Sequence, residues 1–263
     1  MRTLALLAAT VFATAARAEI LDAGPGGFTQ RQSLAVAAPP AQVWEAFANW
    51  GQWWDGAHTY GGDATHLSID LAPGGGTRHG ADGRVETFLY VMAGSVDLTL
   101  DGRPLALTTG GFALVPPTRN FSVTATDAVK LLVLRKAYER AESVRTFEAV
   151  TGNAADVPAP AWANMEQARL QTLIPDELPF DLAMNIFAFD PGFGLPYVET
   201  HVMEHGALIL QGKGLYYLDG DWMEVEAGDF IWMGPFCPQS FYATGPVPAK
   251  YIYYKNVNRE IPL

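Results

Sequence analysis

The sequence contains two series of short β-rich runs, and the runs of both series follow the same order. Gly, Pro and Asp separate the runs, a spacing typical of the strands of an all-β sandwich or barrel. The predicted strands are Thr87–Ala93, Ser95–Leu100, Phe112–Val115 and Lys130–Leu134 in the first series, and Asn185–Phe189, Ala207–Leu210, Leu215–Leu218, Phe230–Met233 and Lys250–Lys255 in the second. A repeated order indicates a repeated unit, so we predict an all-β chain with two copies of one β-barrel.

Charge and cysteine content exclude several classes of function. The chain has 263 residues and a formal net charge of -11, which disfavours nucleic acid and anionic membrane surfaces as partners. Its one cysteine, Cys237, cannot form an internal disulfide or a thiolate-cluster metal site. A metal in this protein must therefore bind to imidazole, carboxylate or amide groups.

The N-terminal residues have the pattern of a secretory signal peptide. Arg2 precedes an apolar run over residues 4–16, and Ala16-Arg17-Ala18 has the small-x-small form of a cleavage site. We therefore predict a signal peptide over residues 1–18 and a periplasmic or secreted protein. An apolar N-terminal strand or helix of a cytoplasmic protein is the alternative.

Residues 151–179 separate the two series and are rich in Ala and Pro. We interpret this stretch as a linker between a first barrel, residues 81–150, and a second barrel, residues 180–263. A short helix over residues 162–170 is predicted within the linker.

The segment Glu199–His205, with the sequence ETHVMEH, carries the clearest chemical signal. If this segment is extended, Glu199, His201 and His205 face the same side, because side chains alternate along a strand. Burying these polar groups in a barrel without a partner would cost several kcal/mol. A divalent cation would remove that cost, and Gln239 on a neighbouring strand is the best placed fourth ligand.

Imidazole and oxygen donors without sulfur suit Mn(II), and the same donors also bind Fe(II), Ni(II) and Zn(II). The alternative at this point is a structural role, in which the histidines are packed core residues or surface polar groups.

Residues 84–263 resemble the bicupin (S)-ureidoglycine aminohydrolases of purine-ureide breakdown. Four segments carry the resemblance: Val85–Gly94, Glu199–Gly206, Gly228–Pro235 and Tyr251–Arg259. The resemblance implies two cupin barrels, and a manganese ion held by Glu199, His201, His205 and Gln239. It also implies that Tyr216, Tyr251 and Lys255 act on the substrate and line its pocket.

The resemblance further implies hydrolysis of the small-molecule substrate (S)-ureidoglycine to (S)-ureidoglycolate and ammonia in allantoin catabolism, by a homo-oligomer. The sequence departs from the family at Ala183 and Asn185, where members carry Asn and His. Asn185 would still face the substrate with a polar amide, but an amide cannot act as an acid or a base at neutral pH. A metal-cupin that binds or senses a ligand without turnover is therefore the alternative function.

The first barrel is predicted to be metal-free. The positions that match the four ligands of the second barrel are Ala81, Gly83, Thr87 and Phe121, which do not form a convincing ligand set. We expect this barrel to serve in packing and in the subunit surface.

Residues 19–80 resemble the first half of a secreted START-like (polyketide cyclase-like) domain. The resemblance rests on Val43-Trp44, Trp53–Asp55, His58–Asp63 and Leu67–Leu71. It implies a short α+β segment that precedes the bicupin and contributes to its first unit. A START-like small-molecule-binding protein is a further alternative function, although half a domain has no closed cavity and its aromatic residues are expected to be packing residues.

Overall fold

The computed structural model describes residues 17–24, 27–33 and 74–259, the first two ranges by their backbone alone. The chain divides into two compact units, Met1–Ile69 and Asp70–Leu263. In the first unit, strands β1 (Arg17–Gly24) and β2 (Gly27–Ser33) form an antiparallel pair. The other residues of the predicted signal peptide and START-like segment lie outside the described residues, so both assignments remain predictions.

The second unit is built from strands, which confirms the predicted all-β class. Its strands are β3 (Gly76–His79), β4 (Val85–Ala93), β5 (Ser95–Leu100), β6 (Arg103–Thr108), β7 (Gly111–Val115), β8 (Phe121–Ala125), β9 (Lys130–Ala137), β10 (Val150–Asn153), β11 (Ala161–Trp162), β12 (Met165–Thr172), β13 (Leu182–Phe189), β14 (His205–Gln211), β15 (Lys213–Leu218), β16 (Asp221–Glu226), β17 (Phe230–Met233), β18 (Gln239–Ala243) and β19 (Ala249–Asn256). One 3₁₀ turn, Ala154–Asp156, is the single helical element in residues 74–259. No helix in the described part of the chain has the length and apolar character needed to cross a membrane.

The first barrel consists of two antiparallel sheets that face each other. The strand order is β3-β8-β5-β6 in one sheet and β10-β7-β4-β9 in the other. Aliphatic side chains such as Leu89 and Val91 of β4 and Leu98 of β5 fill the space between the sheets. This barrel is therefore closed by its own apolar core.

The second barrel has a wider sheet, β11-β12-β13-β19-β14-β17, opposite a narrower one, β16-β15-β18. Its core is aromatic, with Phe189, Phe241 and Tyr251 in ring contact. Strand β19 lies between β13 and β14, and this position places its residues at the centre of the wide sheet.

A third apolar layer joins the two barrels. Alternate residues of β4 and β13 point away from their own barrels, so that Phe88 and Tyr90 meet Leu182 and Met184. The β4 sheet and the β13 sheet thus each bury both faces, as their nearly continuous apolar sequences require.

The predicted short helix over residues 162–170 is wrong. Residues 165–172 form β12, which pairs with β13, and β11 pairs with β12 in turn. The predicted linker thus contributes strands to both barrels, because β10 pairs with β7 of the first.

Candidate metal centre

The proposed ligand segment lies at one end of the second barrel and leads into β14. The segment is not extended throughout, because the chain bends at Val202 and Met203 and only His205 belongs to β14. Glu199 instead forms an isolated bridge with Gln239. A bend, rather than strict alternation, therefore places the two imidazoles.

Backbone hydrogen bonds join this segment to the loop after β17 and to Gln239, the first residue of β18. The Glu199 N–H donates to the Gln239 carbonyl and the Gln239 N–H to the Glu199 carbonyl, each over 2.9 Å, and the Phe236 N–H donates to the His201 carbonyl over 2.8 Å. The hydroxyl of Thr200 donates to the Phe236 carbonyl over 2.8 Å. These bonds bring Gln239, the predicted fourth ligand, alongside the histidines.

Three of the predicted donor side chains are close neighbours. The rings of His201 and His205 are stacked with centroids 4.4 Å apart. The Gln239 amide nitrogen lies 3.2 Å from His201 Nε2, and Gln239 is buried. The structure therefore brings two imidazoles and one amide together at the end of the barrel.

The surroundings keep both imidazoles neutral. Burial, followed by the charges of His201 and Lys255, lowers the pKa of His205 to about 3. Burial is also the main reason that the pKa of His201 is lowered, with Lys255 adding to it and Glu199 opposing it. The neutral form is the one that binds metals.

The donor set fits a divalent cation in its chemistry. His205 Nε2 is buried and has no hydrogen-bond partner among the described residues, and an orphaned ring nitrogen of this kind is costly unless something binds to it. No three His, Cys, Asp or Glu side chains in residues 74–259 are grouped closely enough to hold a metal by themselves. The predicted set thus depends on the Gln239 amide in addition to Glu199, His201 and His205.

Lys255 lies beside these groups on β19, opposite His205 of β14 and Ala183 of β13. Desolvation lowers the pKa of Lys255, and the nearby carboxylates of Glu199 and Asp176 oppose this effect. The half-buried ammonium therefore faces the same end of the barrel as the histidines.

The two predicted substrate tyrosines lie deeper in the barrel. Tyr216 is 3% exposed and Tyr251 is 4% exposed, and their rings are 6.3 Å apart. Burial is the main cause that raises the pKa of each hydroxyl above its ordinary value. Both phenols therefore stay protonated at neutral pH.

Tyr253 was missed by the sequence analysis but belongs to this group. Its ring is stacked on His205 at 5.5 Å and contacts Tyr251 at 5.8 Å. Asn185 is buried opposite Tyr253 on β13, and the interaction of its side chain with the Tyr253 hydroxyl opposes the rise in pKa that burial causes. The alternation of Tyr251, Tyr253 and Lys255 along β19 is the sequence signal that identifies it.

In the first barrel, Thr87 is buried at the start of β4 and Phe121 stacks on His79 at 4.7 Å. Ala81 and Gly83 are exposed. These four positions contribute one hydroxyl oxygen and no imidazole or carboxylate, and the prediction that this barrel binds no metal rests on them.

Comparison with known proteins identifies related chains. The cupin domain family matches residues 185–254. A relative from Escherichia coli strain K12, named (S)-ureidoglycine aminohydrolase, is 36% identical over 199 residues, which are 74% of this chain and 76% of the relative.

Solved structures share the architecture. A putative glyoxylate-induced protein from Pseudomonas aeruginosa is 38% identical with a TM-score of 0.68, over 73% of this chain and 74% of that one. A cupin 2 conserved barrel domain protein from Leptotrichia buccalis is 19% identical with a TM-score of 0.51, over 71% of this chain and 80% of that one, and shows the cupin fold.

Proposed function

Because this chain belongs to the (S)-ureidoglycine aminohydrolase family of C–N hydrolases, we propose that it hydrolyses (S)-ureidoglycine to (S)-ureidoglycolate and ammonia. In this reaction water supplies the hydroxyl that replaces the amino group, and the amine leaves as ammonia. The substrate is a small ureido acid whose reacting carbon carries a carboxylate, a ureido group and an amine. The site must therefore bind the substrate carboxylate and assist the replacement of the amine by a hydroxyl at the carbon that carries it.

The proposed cofactor is Mn(II), which Glu199, His201, His205 and Gln239 would hold. A bound divalent ion supplies Lewis acidity and lowers the pKa of bound water. The neutral state of both imidazoles and the orphaned nitrogen of His205 support this assignment.

Lys255 is the proposed carboxylate-binding group. A half-buried ammonium pairs with a substrate carboxylate more strongly than an exposed one, because less water screens the charges. Its place opposite His205 would hold the reacting carbon of the substrate near the proposed metal. Fixing the substrate in one pose is itself a large part of catalysis.

Tyr216 and Tyr251 are proposed to orient the substrate as neutral hydrogen-bond groups. Their raised pKa values exclude a role as a general base at neutral pH. Each protonated phenol can donate a hydrogen bond to a substrate oxygen.

The observation that carries the proposal is the meeting of two neutral imidazoles, a buried amide and the Lys255 ammonium at one end of the second barrel. The test is ammonia release from ureidoglycine generated in situ by the metal-loaded protein. We expect Lys255→Met to lower kcat/KM about 10–100-fold, mainly through KM, as loss of a positioned charge does. Lys250→Met, at an exposed position of the same strand, is the matched control.

Wild-type protein that binds Mn(II) and ureidoglycine but releases no ammonia would instead establish the alternative, a cupin that binds without turnover. The replacement of an acid–base residue by Asn185 is the observation that favours this second candidate.

The predicted signal peptide leads us to propose a periplasmic or secreted location. Cell fractionation and N-terminal sequencing of the purified protein test it, and a mature protein that retains residues 1–18 in the cytoplasmic fraction would contradict it.

A further inference from the structure

The ring of His205 has two near-parallel neighbours. His201 lies 4.4 Å away with an interplanar angle of 29°, and Tyr253 lies 5.5 Å away with an angle of 22°. His201 belongs to the bent segment, whereas Tyr253 belongs to the central strand of the wide sheet. Of the two, Tyr253 is therefore the neighbour that the barrel itself holds in place.

The ring of Tyr253 is fixed from its far end as well. Asn185 and Tyr253 are direct partners in the β13–β19 register, and the Asn185 side chain interacts with the Tyr253 hydroxyl and opposes the rise in its pKa that burial causes. Asn185 is 8% exposed, so its amide is held by the packed sheet. Asn185, Tyr253 and His205 thus form a continuous series of contacts across three adjacent strands.

We propose that Tyr253 is a positioning residue that sets the ring plane of His205 for metal binding, and that Asn185 anchors Tyr253 in that role. A ligand imidazole binds well only when its ring is already turned toward the metal. Stacking against a ring held at both ends restricts rotation of the His205 side chain. Asn185 therefore has a structural task in the site that needs no acid–base chemistry.

The experiment measures Mn(II) binding to the metal-depleted full chain by titration calorimetry. Tyr253→Leu removes the ring, and we expect it to weaken Mn(II) binding about 10–100-fold, the usual effect of losing a group that orients a ligand. Tyr253→Phe keeps the ring but loses the hydroxyl that faces Asn185, so we expect a smaller weakening than in Tyr253→Leu, equal to that of Asn185→Ala. Tyr217→Leu is the matched control, because the ring of Tyr217 on β15 packs against Trp222 at 5.2 Å.

The anchoring role of Asn185 gives a second measurement that does not need Tyr253→Leu to fold. Asn185→Ala should weaken Mn(II) binding in the wild-type background and have no further effect in a Tyr253→Phe background, because the hydroxyl with which Asn185 interacts is already gone. Thermal unfolding of each metal-free variant establishes that it is folded. Independent effects of the two substitutions would overturn the proposal, as would a folded Tyr253→Leu variant that binds Mn(II) like wild type.

This inference rests on the proposed function in assuming that His205 binds the metal, but the two can fail separately. Mn(II) binding that depends on Tyr253, together with no ammonia release, would reject the proposed reaction and support the inference. Ammonia release by wild type, together with unchanged Mn(II) binding in Tyr253→Leu, would reject the inference alone.

Discussion

Glu86 on β4 is an acidic side chain enclosed between the two barrels. It is 1% exposed, and the Lys136 ammonium lies 4.0 Å from its Oε1. Burial is the main cause that raises the pKa of Glu86 well above its ordinary value of 4.5, the negative charge of Asp181 adds to it, and Lys136 opposes it. The folded protein therefore favours the protonated form of Glu86.

The raised pKa of Glu86 predicts how stability depends on pH. The stabilisation that protonated Glu86 gives the folded state is fully present below the pKa that Glu86 has in the unfolded chain. It is lost as the pH rises through the higher pKa that Glu86 has in the folded protein. Glu86→Gln mimics the protonated acid, so we expect it to raise the free energy of unfolding by about 1–3 kcal/mol at alkaline pH. The free energy of unfolding should also decrease less above pH 5 than it does in wild type. Urea unfolding between pH 5 and 9 measures this.

Asp97→Asn serves as the control for Glu86→Gln, because Asp97 is exposed on β5. Unfolding curves for wild type and Glu86→Gln that remain parallel across this pH range would show that Glu86 is not the group responsible.

At the scale of elements, strands that carry β-rich sequence between turn residues could be predicted closely. Ser95–Leu100 and Phe230–Met233 were predicted with the bounds that the structure has. Residues 165–172 could not be predicted as a strand, because most of them (Met, Glu, Gln, Ala, Arg and Leu) favour helices. They form a strand because they pair with β13.

In the candidate site, too, some features can be predicted from the sequence and others cannot. The identities of Glu199, His201, His205 and Gln239 follow from the family resemblance, and the structure brings the imidazoles and the amide together. The bend at residues 202–203 and the stacking of Tyr253 depend on contacts between strands that are distant in sequence. Such contacts leave no local pattern in the sequence. The half-burial of Glu204 beside Tyr254 depends on a contact of the same kind.

Gly206, the residue after His205 in β14, lies where neighbouring rings leave no room for a side chain. A Cβ added to Gly206 would lie 2.1 Å from Tyr254 Cε1 and 2.9 Å from Phe230 Cζ. We therefore expect Gly206→Ala to displace these rings and to destabilise the protein by about 1–3 kcal/mol, the usual cost of overpacking. Thermal unfolding measures the change.

Gly80→Ala is the matched substitution for Gly206→Ala, since its added Cβ would come no closer than 3.8 Å to Asn120. Equal melting temperatures for Gly206→Ala and wild type would show that β14 can accept a side chain at this point.

At the scale of the molecule, the two barrels differ in the composition of their interiors. The first has an aliphatic interior, and a shared apolar layer joins it to the second. The second places polar groups at one end of its aromatic core, where His205, Asn185 and Gln239 are all buried. Because the buried His205 Nε2 has no hydrogen-bond partner among the described residues, the second barrel is the one whose stability should respond to a metal.

Removal of the proposed metal should therefore lower the melting temperature of the unit Asp70–Leu263. A ligand present at 100 times its Kd stabilises the folded state by about 2.7 kcal/mol. For a unit of this size we expect chelation to lower the Tm by about 5–10 °C, and Mn(II) to restore it.

His205→Ala is the control variant. It removes one of the proposed donors, so neither chelation nor Mn(II) should change its Tm. Scanning calorimetry of both proteins, with and without chelator, measures the difference, and a wild-type Tm that chelation leaves unchanged would mean that no metal stabilises this barrel.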